Sequence, residues 1–213
     1  MIAGSSPSGT DEAARTQILL VCRANRCRSP FAQAIATRLG ATRGLRFESA
    51  GLLPGGHPTP SVGRAVAHGL GFDLDHHLSK QVDVEALDRY DLVLTMARDH
   101  ARDLLIERDD IRARLFTLKQ FARWAPTHPR PPRTAVGPWL DIVAADRPRR
   151  DLVGADVGDD IADPLASPPR AWRRMARELD EHLRTTVHAL AGCPARGRPD
   201  GGGSHSAAST SRN

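Results

Sequence analysis

The chain has 213 residues, 40% of them hydrophobic and 26% charged, which suits one domain with tails and enough apolar surface for a buried core. No apolar run reaches the roughly 18 residues of a membrane-spanning helix, and residues 1–16 lack the basic and apolar segments of a secretory leader, so no membrane partner is expected. The net charge is +5, yet the basic residues are scattered among acids and form no nucleic-acid motif. Three cysteines, Cys22, Cys27 and Cys193, are too few and too odd in number for a disulfide scaffold; they point to thiol chemistry in a reducing cytoplasm.

The polar lead 1–16 and the Gly-, Pro- and Ser-rich tail 192–213 are expected to be disordered, with one domain over 17–191 between them. Gln17–Val21 is a short apolar run that predicts a buried strand. A loop follows, then a helix over Ser29–Leu39 with Pro30 in its first turn, Phe31, Ala34, Ile35 and Leu39 on one side, and Gly40 as its stop. Leu45–Ser49 is a second strand. Thr59-Pro60 opens a second helix whose apolar stripe is Val62, Ala65, Val66 and Leu70. Asp91–Thr95 is a third strand, Ala97–Glu107 a helix, Arg114–Thr117 a fourth strand, and Leu118–Trp124 a short helix. The stretch 125–160 is long for a connection inside a compact domain; it suits a lid and carries one helical piece, Val136–Ala145. Ser167–Ala191 closes the domain as a long helix with Trp172, Met175, Leu179, Leu183, Val187 and Leu190 along one stripe. This alternation predicts an α/β fold: a single domain with a four-stranded parallel sheet and helices on both faces, its ligand at the carboxyl ends of the strands.

The first strand ends on Cys22-Arg23-Ala24-Asn25-Arg26-Cys27-Arg28-Ser29-Pro30. Amides at a helix start gather an anion, and the same field together with nearby arginine favours the thiolate of a cysteine. Cys22 is therefore a candidate nucleophile. Arg28, six positions on, can face it across one tetrahedral oxyanion with its planar fork. Ser29 can donate its hydroxyl to the thiolate, and Asn25 can take the left-handed backbone conformation of a tight loop. A cysteine at a strand end is ordinarily just a small apolar residue; strand, Cys, five residues, Arg, Ser and helix together are a much more specific signal.

That segment resembles the phosphate-binding loop of the low-molecular-weight protein tyrosine phosphatases. Glu48-Ser49-Ala50-Gly51, His77-Leu78-Ser79-Lys80-Gln81, Tyr90–Met96 and Asp160-Ile161-Ala162-Asp163-Pro164 resemble later landmarks of that family in the same order. The resemblance implies a phosphomonoester hydrolase acting on phosphorylated protein, with phosphotyrosine as the expected target. It implies a phosphocysteine on Cys22, phosphate held by Arg28 and the loop 23–28, and Asp163 as general acid and then base; Asp159 and Asp160 are its competitors. It also implies that His77 buttresses Asn25, that Cys27 can close a reversible disulfide on Cys22, and that no metal or cofactor is needed. Nothing in the sequence sets an oligomeric state; a monomer is the expectation.

The chain departs from the family pattern at Ala24, where glycine is usual, and at Arg23 and Arg26, which make the rim basic and suit acidic phosphopeptides or a second anion. Leu165 follows Asp163-Pro164 where an aromatic is usual, and 52–57 also lacks one, so the walls for a flat phosphotyrosine ring are thin. Two other readings share the loop. A thioredoxin-coupled arsenate reductase needs a further cysteine pair, and no cysteine lies between Cys27 and Cys193. A non-catalytic phosphate or phosphopeptide binder would not need Cys22, Arg28, Ser29 and Asp163 together.

Overall fold

In a computed structural model the described residues are 16–144, 147, 148, 151 and 156–192. The polar lead and the tail expected to be disordered lie outside them, save Thr16 and Gly192. Four parallel strands, β1 (Thr16–Cys22), β2 (Leu45–Gly51), β3 (Leu92–Thr95) and β4 (Leu115–Thr117), lie in the order β2-β1-β3-β4. β1 is central because Ile18–Val21 is buried on both faces, the pattern of a strand covered by helices on each side. Cys22 pairs in register with Gly51, and Val21 with Thr95, so the loop after β1 emerges between the ends of two neighbours.

The helices are α1 (Arg28–Gly40), α2 (Ser61–Gly69), α3 (Arg98–Glu107), α4 (Leu118–Trp124), α5 (Val136–Val143) and α6 (Pro169–Leu190). On one face of the sheet Ile18 and Leu20 meet Phe31, Ile35, Trp172, Leu179 and Leu183; on the other, Leu19 and Val21 meet Ala101, Leu104 and Ile111. The long amphipathic α6 buries Trp172, Met175, Leu179, Leu183, Val187 and Leu190, the stripe that its periodicity predicts.

α2 differs from the expected stripe. Val62, Ala65 and Leu70 are exposed, and Gly63, Val66 and Ala67 face inward. The cause is Trp172: its ring lies so close to Gly63 that an added Cβ would sit 2.5 Å from Cζ3, so the missing side chain turns that edge of the helix to the core. Gly40 does not stop α1 but is its last residue, packed where a Cβ would meet Phe47 at 2.9 Å.

The stretch expected to suit a lid is anchored in its described part. α5 buries Val136, Trp139 and Leu140, and Trp139 joins Phe116, Phe121 and Trp124 in an aromatic cluster with centroids 5.1–6.5 Å apart. No helix among the described residues is long and apolar enough to cross a membrane.

Candidate active site

The loop after β1 is shaped by one residue. Asn25 is fully buried with a left-handed backbone, φ 51°, a conformation its short polar side chain tolerates. Its amide Nδ2 donates to Ser29 Oγ and Ser49 Oγ, both at 2.9 Å, and its Oδ1 accepts from the backbone N–H of Lys80 at 2.9 Å. His77 Nε2 lies 2.7 Å from the Asn25 carbonyl, which can only accept, so that nitrogen carries the ring proton. Ser49 Oγ donates onward to Gln33 Oε1 at 2.6 Å. A buried amide with these partners holds the loop in one shape. Ala24 keeps φ out of the left-handed range, which leaves room for its methyl.

Gly51 supplies the floor. A Cβ there would lie 2.7 Å from Ala24 C and 2.7 Å from Asn25 N, so only glycine lets β2 run beneath the loop. Its neighbours tie the loop down further: Leu52 N–H donates to the Cys22 and Arg23 carbonyls, and Leu53 N–H to the Arg23 carbonyl.

Cys22 Sγ lies 3.0 Å from Ser29 Oγ. The hydroxyl accepts from Asn25, so its single proton can go to Cys22 or to the Ala50 carbonyl at 3.3 Å. Cys22 and Cys27 are both free, buried thiols. Burial pushes the Cys27 thiol far up, and the negative charge of Asp163 adds to it, so Cys27 stays protonated.

Arg28 opens α1 and is nearly buried. Its Nη2 forms a 2.6 Å ion pair with Asp163 Oδ2, and its Nη1 donates to the Ile161 carbonyl at 3.3 Å. Its Nε has no partner among the described residues. Asp163 receives the Leu165 N–H on its other oxygen at 3.1 Å and keeps 40% of its side chain exposed. Its two competitors are committed elsewhere. Asp159 is buried between Arg98 and Arg123. Asp160 accepts the Arg98 N–H at the start of α3 through its carboxylate and Lys119 Nζ through its carbonyl. Asp163 is thus the acid that meets Arg28, from 135 positions away.

The rim arginines differ. Arg23 is paired with Asp103 at 2.8 Å and Asp99 at 3.3 Å, both on α3. Arg26 turns the other way; its Nε donates to the Pro58 carbonyl at 3.1 Å. Among the described residues the cluster able to hold a cation, His68, Asp73 and Asp75, is exposed at the end of α2.

Sequence reasoning missed Ser49, Gln33 and Gly51 as supports of the site, and it did not single out His100, a buried histidine that feels the charge of Arg28. Only Gly51, a glycine ending a strand, left a readable signal. His100 on α3 is buried, and its Nδ1 has no partner among the described residues. Burial, and then the positive charge of Arg28, lower it to about 4; Asp99 and Asp103 oppose that shift and Arg23 adds to it. His77 is also lowered, by burial first, with its bond to Asn25 opposing. A histidine lowered in the folded state lets the unfolded chain bind more protons at acid pH, so its contribution is complete above about 6.5 and is lost as pH falls toward about 4. The melting temperature should therefore drop over that window, and less steeply in His100→Gln. Equal slopes in wild type and variant would remove His100 from the account.

The family model for "Low molecular weight phosphotyrosine protein phosphatase" matches residues 17–129. The chain is 32% identical over 111 residues to a protein-arginine-phosphatase of Bacillus subtilis, covering 49% of this chain and 71% of that protein. It is 33% identical over 111 residues to the low molecular weight protein-tyrosine-phosphatase Wzb of Escherichia coli strain K12, covering 50% and 70%. Among solved structures it is similar to the YwlE arginine phosphatase from Geobacillus stearothermophilus, with 26% identity, TM-score 0.62, and coverage of 82% of this chain and 92% of that one. The low molecular weight protein tyrosine phosphatase from T. tengcongensis gives 26%, 0.61, 81% and 98%.

Proposed function

Because the chain belongs to the low molecular weight phosphotyrosine protein phosphatase family, we propose that it hydrolyses phosphotyrosine in proteins through a phosphocysteine on Cys22. The observation that carries this reading is the Arg28–Asp163 pair at 2.6 Å, a guanidinium and a carboxylate of the kinds this chemistry needs, beside the loop that begins at Cys22. An arriving phosphate takes the Nε donor of Arg28 and displaces Asp163 from Nη2. The Cys22 thiolate, steadied by the Ser29 hydroxyl, attacks phosphorus as the P–O bond breaks, and Asp163, which takes up a proton from solvent once phosphate has displaced it from Arg28, gives that proton to the leaving phenolate. Asp163 then takes a proton from water, which attacks phosphorus, and the P–S bond breaks to return the thiolate. Arg28 and the loop amides hold the charge in both transition states. A peroxide would oxidise Cys22 to a sulfenic acid, and attack by the Cys27 thiol, five positions on, would close the disulfide with release of water; two free thiols suit the cytoplasm.

Phosphoarginine is the second reading, favoured by the names of two similar proteins and by a rim on which Leu53 and Leu165, not aromatics, are exposed. Its leaving group is a cation, however, and Arg26 has no carboxylate partner among the described residues to offset its own charge. The same peptide carrying phosphotyrosine or phosphoarginine separates the two. We expect the tyrosine form to have the higher kcat/KM by about tenfold, the equivalent of 1.4 kcal/mol. A preference for the arginine form would overturn the choice of substrate.

A further inference from the structure

Arg23 and Arg26 are both rim arginines, yet they differ in what balances them. The guanidinium of Arg23 has two carboxylates within 3.3 Å, Asp99 and Asp103, which offset its charge. Arg26 has none. Its single bond runs from Nε to the Pro58 carbonyl, a neutral acceptor that fixes the side chain and leaves the outer fork, Nη1 and Nη2, without a protein partner among the described residues. Pro58 is itself held, bridged to Leu78, and the next residue, Thr59, is fully buried. The fork is therefore partly exposed, uncompensated and pre-positioned, and little side-chain freedom remains to be lost when it binds.

We propose that Arg26 is a second-anion subsite, reading a carboxylate of the phosphoprotein beside the phosphorylated residue, and that Arg23 is not. This deepens the phosphatase reading and rests on it. The ligand class follows from the donor: a planar fork with two free nitrogens matches the two oxygens of an Asp or Glu side chain. With Leu53 and Leu165 as the rim's exposed large apolar side chains among the described residues, ring stacking supplies little selectivity, and charge beside the phosphate supplies it instead.

The test is a ratio. Phosphotyrosine peptides with acidic or neutral neighbours are compared by kcat/KM with wild type, Arg23→Ala, Arg26→Ala and Arg26→Glu. A ratio is insensitive to any general loss of activity that altering the loop brings. Wild type should favour the acidic peptide by about fivefold at low salt, the upper range for a partly exposed pair, and the preference should shrink as salt screens it. The ratio should stay near the wild-type value in Arg23→Ala, fall to about one in Arg26→Ala, and drop below one in Arg26→Glu. No preference in wild type overturns the subsite, as does a preference that survives in Arg26→Ala or disappears only in Arg23→Ala. Should the Arg26 variants not fold, a wild-type preference lost in Arg23→Ala, or unaffected by salt, overturns it equally. Absence of turnover on every phosphotyrosine peptide would count against the phosphatase reading itself, a different result from equal turnover on both.

Discussion

Cys22→Ser should abolish turnover of phosphotyrosine peptides, with a loss of at least about 10⁴-fold, the scale seen when a nucleophile is removed. The reason is the company that Cys22 keeps. Its hydrogen-bond partner is the Ser29 hydroxyl at 3.0 Å, which stabilises a thiolate but cannot take a proton from an alcohol. Among the described residues no histidine or free carboxylate bonds to Sγ, so a serine at 22 would have no base to activate it. The melting temperature should change little, because a hydroxyl can keep the bond to Ser29. Cys27→Ser, in contrast, should retain most activity, since burial and Asp163 keep that thiol protonated. Turnover by Cys22→Ser at the wild-type rate would sink the phosphocysteine mechanism.

Asp163→Ala should produce a different pattern. With phenolic esters whose leaving group needs a proton, kcat should fall by about 10²–10⁴-fold, the usual worth of general acid catalysis. The loss should narrow as the leaving group becomes more acidic. KM should fall as well, because Asp163 no longer competes with phosphate for the Arg28 fork that it holds at 2.6 Å. Asp159→Ala should instead lower the melting temperature and leave the leaving-group dependence intact, because Asp159 is buried between Arg98 and Arg123. A uniform loss across leaving groups in Asp163→Ala would move the proton to another residue.

The strands and most helices were legible because their signals are local. The run Gln17–Val21, the Pro30 start of α1 and the apolar stripe of α6 each fix an element without reference to the rest of the chain. The face of α2 was not legible because two of its inward positions are Gly63 and Ala67, small residues that periodicity cannot score; the Trp172 ring that Gly63 accommodates comes from more than 100 positions away. The role of α5 was also hidden, since its partners Phe121 and Trp124 lie across a connection with no periodic pattern.

The order of the loop Cys22–Ser29 was determined by the sequence itself: a strand, a thiol, five residues, a guanidinium and a helix start are all local signals. What surrounds it only the tertiary structure could decide. Spacing could not tell Asp159, Asp160 and Asp163 apart; in the structure Arg98 and Arg123 pair with the first, the α3 start binds the second, and Arg28 meets the third. Composition counted Arg23 and Arg26 alike; α3 offsets one charge, and the neutral Pro58 carbonyl leaves the other without a carboxylate among the described residues. The physical reason is the same in each case: a side chain's charge and hydrogen bonds count only after those of its spatial neighbours, and here those neighbours lie tens of residues or more along the chain.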